Sequence, residues 1–396
     1  MTRTLVLASL IALAAGTADA QGRFRAPVGE AALNNPAAND VAPTLTQDAL
    51  TLWFCSDRPG GLGGYDVYVT TRASISAPWA PPVTEPTLNS PQAENYIAVR
   101  GDGQEMYISG NRIGTSGVSD LWVATRAGPG WNTPTNVTVL NSIGLDDDPS
   151  LTGDGLEIFF TSNRAGTMGQ ASLWRSTRPD LISPWTTPVR VAELDTTFAE
   201  HSPSISDDGL TLFYASDQAG GVGSSDFWVA KRPDRNSPFG AAVNVREVNS
   251  VQWDFNADLT ADEFTLYPCS YPGGSATGDI LRADGILPRT VTFTAARVGF
   301  PWSVWCRRDP GDAGGLAFSA VANPAGTPIA GVQGLLYLGF PLFPFPPAVL
   351  DLNGRYTFSV GSVPNLPGQT IHWQSYAQDP MGTVYLGNLL SVTIVP

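Results

Sequence analysis

The sequence predicts an all-β protein: a five-bladed β-propeller closed by an N-terminal strand, followed by a β-sandwich. Three observations carry this. A stretch of about fifty residues occurs five times between Asp40 and Asp284. Each copy holds short alternating strands separated by tight, mostly glycine-bearing turns. The piece missing from the last copy stands near the start of the chain.

The repeat is clearest in DALTLWFCSDRPGGLGGYDVYVTTR (Asp48–Arg72). It returns from Asp102, Asp154 and Asp208, and in eroded form from Asp262, at spacings of 54, 52, 54 and 54 residues. A period of this size signals a solenoid, a propeller or an array.

Each copy reads as four strands. The first is short, PTLT (Pro43–Thr46) in copy one, and its apolar column is Leu45, Val99, Leu151, Ile205 and Leu259. A turn follows, usually Asp-Gly, the commonest short hairpin signal. The second strand (LTLWF, QEMYI, LEIFF, LTLFY, FTLYP) alternates aliphatic and aromatic residues, which suits a pleated, buried sheet. After a glycine-rich turn the third strand opens on Asp66, Asp120, Asp226 and Asp279, with Ser172 in copy three. Residues present in nearly every copy are expected to hold blades together. On this ground Asp66, Asp120, Asp226 and Asp279, with Trp122, Trp174 and Trp228 of the same strands, are assigned structural roles. An Arg follows the Asp position by six residues in four copies, at Arg72, Arg126, Arg178 and Arg232. The fourth strand is W-x-x-P, at Trp79–Pro82, Trp131–Pro134 and Trp185–Pro188, with Phe239 and Ala242 in copy four. Proline there fits an edge strand, which needs no N–H on its open side. Leu-Asn or a near equivalent comes next, at Leu88, Leu140, Leu194 and Val248.

Four antiparallel strands per unit, repeated, are the blades of a propeller. Copy five has no W-x-x-P strand, but Phe24-x-x-Pro27-Val28 followed by Leu33-Asn34 supplies one. The N-terminal segment is therefore expected to form the outer strand of the last blade and hold the ring shut.

Residues 1–20 read as a secretory signal peptide, with Arg3, a short apolar run and the Ala18-Asp19-Ala20 cleavage site. The propeller is expected over 21–288 and the sandwich over 289–396, where runs such as TVTFTA, RYTFSV and TIHWQSYA recur. No later stretch is apolar enough to span a bilayer as a helix. A secreted, periplasmic or cell-surface monomer is expected. The net charge of −14 argues against nucleic acid and anionic membranes as partners. It suits a cationic ligand, a metal or simple solubility. Cys55 and Cys269 occupy the same repeat position, so a bridge across the closing blades is one reading. Equivalent positions point the same way around a ring, and free buried thiols are the other reading.

The copies resemble the WD40-like propeller repeats of TolB-type and peptidoglycan-associated bacterial proteins. The residues that carry the resemblance are the D-G turn, the S-(D/N)-R step at Ser56-Asp57-Arg58 and Ser162-Asn163-Arg164, and the G-x-x-D strand. The resemblance implies an exported binding or scaffolding protein without catalysis, and assigns no ligand.

One column is acidic in every copy: Asp40, Glu94, Asp146, Glu200 and Asp254. Inner strands begin at the mouth of a propeller channel, so these carboxylates, with His201 beside them, are the candidate binding site. Neighbours ~10 Å apart would repel by roughly 0.4 kcal/mol in water and ~1.7 at an effective dielectric of 20. Calcium, or a cationic group on a protein or glycan partner, would compensate. The competing account is that each carboxylate accepts bonds within or between blades, with the regular arginines as donors. Asp147, Asp148 and His201 lie on the same rim. No catalytic residue is assigned, and no G-x-S-x-G, H-E-x-x-H or C-x-x-C motif occurs. The expected function is partner, glycan or peptide binding at the rim; the alternative is a glycoside-active propeller enzyme.

Overall fold

The computed structural model describes residues 24–271 and 277–285, and beyond these the backbone of strands between 289 and 393. The signal peptide lies outside the described residues. The chain divides into two compact units, 24–284 and a second that includes 285–396.

The first unit is a five-bladed β-propeller. Its chain enters through β1 (Val28–Gly29). Blade one is β2 (Asp40–Leu45), β3 (Thr51–Ser56), β4 (Asp66–Thr71) and β5 (Val83–Thr84). Blade two is β6 (Glu94–Val99), β7 (Glu105–Gly110), β8 (Asp120–Ala127) and β10 (Thr135–Asn136), with β9 (Gly130–Trp131) also on β8. Blade three is β11 (Asp146–Leu151), β12 (Glu157–Ser162), β13 (Ser172–Thr177) and β14 (Val189–Arg190). Blade four is β15 (Glu200–Ile205), β16 (Thr211–Ser216), β17 (Asp226–Lys231) and β18 (Val243–Asn244). Blade five is β19 (Asp254–Leu259), β20 (Thr265–Ser270) and β21 (Asp279–Asp284), completed by β1. The inner strands are neighbours in the cyclic order β2, β6, β11, β15, β19 and back to β2.

The closing strand pairs as the repeat arithmetic predicts, with Val28 opposite Arg282 and Gly29 opposite Leu281. Asn34 explains the Leu-Asn step. Its Oδ1 accepts from Ile280 N and its Nδ2 donates to Ile280 O, both at 2.9 Å. Asn89, Asn141 and Asn249 do the same for Val67, Leu121 and Phe227. The side-chain amide thus stands in for a missing backbone partner on the third strand. The chain's start supplies to blade five what blades one, two and four receive from their own ends, while blade three carries Asp195 at that position.

The regular arginines stitch blades together. Arg178 of blade three meets Glu105 of blade two at 2.6 and 3.0 Å. Arg232 of blade four meets Glu157 of blade three at 2.5 and 3.3 Å. Each guanidinium also lies over the aromatic of the W-x-x-P step: Arg72 on Trp79, Arg126 on Trp131, Arg178 on Trp185 and Arg232 on Phe239, at 4.1–4.7 Å. A weakly hydrated planar cation suits such a buried, stacked position.

Asp66 and Asp226 accept from the two N–H groups of the glycine turn before them, Leu62 and Gly63 or Val222 and Gly223. Asp120 accepts from Ser116 N and Asn136 Nδ2. Trp122, Trp174 and Trp228 are each 9% exposed on β8, β13 and β17. Cys55 and Cys269 are both free and wholly buried, so no bridge spans the closing blades. Burial raises both thiols well above their usual range, which leaves them inert.

The strands beyond residue 288 form separate sheets. β22 (Arg289–Val291), β23 (Trp302–Arg307) and β30 (Arg355–Val360) make one. β24 (Ala313–Ser319), β31 (Thr370–Gln378) and β32 (Val384–Thr393) form the core of a larger one. Among the described residues no helix is long and apolar enough to cross a membrane.

Candidate functional site

The first strand of each blade starts earlier than expected, at the acidic residue rather than three residues later. The cause is a bulge. In blade one, Asp40 pairs with Ser56 and Val41 with Cys55, but the next pair is Thr44 with Trp53. All five inner strands carry the same extra residue. Four of them hold it with a left-handed backbone at a non-glycine residue: Ala42, Asp148, Ser202 and Asn256, with φ of 41–52°. Such residues are uncommon and locally strained. One extra residue shifts the alternation of side chains by one, exchanging the two faces of the strand.

The acidic column is consequently turned into the protein. Asp40, Glu94, Asp146, Glu200 and Asp254 are each at most 1% exposed, not set around an open mouth. Their donors are not the regular arginines proposed from the sequence but those of the S-(D/N)-R step. Asp40 pairs with Arg58, Glu94 with Arg112 at 3.1 Å and Asp146 with Arg164 at 2.5 Å. The same arginines reach back to the carbonyls of Leu33, Leu88 and Leu140 in the preceding blade. Copies four and five carry Gln218 and Pro272 at the Arg position. There Glu200 accepts from Thr196 Oγ1, and Asp254 from Ser250 N and Oγ at 2.6 and 3.0 Å. Burial pushes both Glu94 and Glu200 up to about 7. Among the described residues no three His, Cys, Asp or Glu side chains gather to hold a metal ion.

The bulge presents the next two residues instead. These are Val41-Ala42, Asn95-Tyr96, Asp147-Asp148, His201-Ser202 and Phe255-Asn256. No two copies agree. Tyr96, Asp147, Asp148, His201, Ser202 and Phe255 line a cavity of about 500 Å³ at the end of the ring where the inner strands begin. Its volume lies in the range of small-ligand sites. Trp253 and Tyr271 complete an aromatic wall, and Trp253 is 51% exposed. A separate cavity of about 40 Å³ lies further along the inner strands.

The floor of the cavity is a hydrogen-bonded network. Asp148 accepts from Thr161 Oγ1 at 2.9 Å, from Asn256 Nδ2 at 2.8 Å and from Ser202 N at 3.2 Å. Ser119 Oγ donates to Asp147 at 2.5 Å. His201 has Nδ1 3.0 Å from Ser202 Oγ and Nε2 3.2 Å from Ser225 Oγ, and its ring leans on Trp253 at 5.8 Å. Burial lowers the imidazole's affinity for a proton, against the opposing pull of Asp148. Burial first, then the charge of Asp148, pushes Asp147 up to about 7. Of the six residues proposed from the acidic column and its neighbour, only His201 lines this cavity. The missed residues had a readable signal. In a repeat protein the columns that agree build the fold, and the column that disagrees in every copy is free to hold a site.

No family model matches the chain, and no curated protein matches it. Among solved structures it is similar to an alpha-L-arabinofuranosidase from Lactobacillus brevis, at 12% identity and a TM-score of 0.42, over 64% of this chain and 92% of that one. It is similar to an exo-beta-1,3-galactanase from Phanerochaete chrysosporium, at 10% identity and a TM-score of 0.41, over 87% and 97%. A GH43_12 protein from a capybara gut metagenome shows 11% identity and a TM-score of 0.43, over 95% and 91%.

Proposed function

We propose that the chain is an exported, non-catalytic binding protein whose ligand, the end of a glycan or peptide chain, enters the mouth cavity. The observation that carries this is the cavity's departure from the repeat. Four blades contribute different side chains to one aromatic-walled, polar-floored space. Aromatic faces with a few fixed polar groups are the usual make-up of a ligand pocket. The WD40-like, TolB-type resemblance of the repeats fits this role, and a β-sandwich over 289–396 would serve retention or adhesion.

The enzyme alternative is favoured by one feature: Asp147 and Asp148 are adjacent carboxyls in different surroundings. A glycosidase, however, flanks the scissile bond with two carboxyls. Here both come from consecutive residues of one strand, and among the described residues no other carboxyl lines the cavity. Incubation of the full chain with chromogenic aryl glycosides and arabinan is expected to give no turnover. Hydrolysis lost in Asp147→Asn would overturn the binding role.

A further inference from the structure

The mouth cavity has an uncompensated charge. Elsewhere in the propeller many buried acids are matched: Asp40, Glu94 and Asp146 each by one arginine, Glu105 and Glu157 each by two. Asp147 and Asp148 are 5% and 7% exposed, and among the described residues no Lys or Arg lines the cavity. Burial disfavours a proton on His201, so its imidazole supplies no fixed countercharge. Four aromatic side chains, Tyr96, Trp253, Phe255 and Tyr271, wall the cavity, and the negative faces of aromatic rings attract cations rather than anions.

A second feature points the same way. Asn256 is 7% exposed and donates through Nδ2 to Asp148 and to Ser202 Oγ, at 2.8 and 3.1 Å. The carboxylate fixes which end of the amide is the donor. That leaves Asn256 Oδ1 as a buried acceptor with no protein partner. A buried acceptor beside a carboxylate calls for a donor. A bare divalent metal fits less well, since too few ligating groups converge among the described residues.

We propose that the ligand of the mouth cavity carries an ammonium group, held between the Asp147 and Asp148 carboxyls and the aromatic wall. The proposal rests on the cavity being the binding site. An ammonium offers several donors to Asp148 and Asn256 Oδ1, and its alkyl stem packs on Trp253 and Phe255. The net charge of −14 would raise the local concentration of such ligands.

The test uses the full chain with tryptophan fluorescence and calorimetry. The probes are spermidine, a free polyamine, and Nα-acetyl-lysine methylamide, which represents a lysine on a peptide. The Nε-acetylated lysine compound, neutral galacto-oligosaccharides and calcium are the comparisons. Saturable binding of either amine is expected, and which one binds identifies the source. Acetylating the amine should weaken binding by about tenfold or more, and added salt should weaken it further. Asp147→Asn, which keeps an acceptor for Ser119, should weaken amine binding by about tenfold. If that variant fails to fold, the comparison of the amine with its acetylated form on the wild-type chain still decides. Neutral sugars binding where amines do not would overturn the ammonium assignment and leave the binding role standing. Calcium binding in place of the amines, or unchanged amine affinity in Asp147→Asn, would also overturn it. No response to any probe would remove both.

Discussion

Phe24→Ala is expected to destabilise the propeller by about 3–5 kcal/mol, the usual effect of emptying a buried aromatic site. Phe24 is 1% exposed and packs edge-on against Phe213 of blade four at 6.0 Å. It anchors the segment whose β1 completes blade five. Asn34→Ala, which strips both bonds to the Ile280 backbone, should remove a further ~1–3 kcal/mol. Val28→Ala is the control. Its side chain is 63% exposed, so the change should stay within about 0.5 kcal/mol. Urea unfolding of the three variants checks the series. Equal effects for Phe24 and Val28 would contradict closure by the chain's start.

Glu157→Ala is expected to have a comparable effect, about 3–5 kcal/mol, through a different route. The Arg232 side chain is 0% exposed, and the substitution removes its carboxylate partner in the next blade. An unpaired buried charge costs more than the intact pair contributes. The double substitution Glu157→Leu with Arg232→Met should therefore recover most of the loss. Arg175, at 28% exposure, reaches water when Glu157 is gone and adds little. Thermal melting of both single variants and the double variant decides. A double variant no better than the worse single would argue against an unpaired buried charge as the source of the loss.

Much of the ring was legible because its devices repeat. The Asp-Gly turns appear at Gly103, Gly155 and Gly209, each with the left-handed φ that the turn needs. Copies one and five make the same turn with Ala49 and Glu263, where composition alone gives no cue. The closing strand was legible because Phe24, Pro27, Leu33 and Asn34 reproduce spacings seen in the other copies.

The site was less legible, for a physical reason. A bulge held by Ala42, Asp148, Ser202 or Asn256 carries no glycine, and its one cue is the proline that follows three of them, Pro43, Pro149 and Pro203. Without the bulge, the alternation from Leu45 back to Asp40 aims the acid at the wrong face. The regular acidic column drew attention because it repeats, and it repeats because it ties blades together through Arg58, Arg112 and Arg164. Asp147, Asp148 and His201 were visible on the rim as individual residues. Their meeting with Asn256, Trp253 and Tyr96 depends on ring closure across four blades, which no local pattern encodes.

The account stands on the mouth cavity being where a ligand binds, and the most direct measurement is fluorine NMR of the full chain labelled with 5-fluorotryptophan. Trp253→Phe assigns the Trp253 resonance. Titration with spermidine is predicted to shift that resonance saturably, while the buried Trp53, at 1% exposure, stays unmoved. A saturating ligand that leaves Trp253 unshifted and moves another tryptophan would contradict the account.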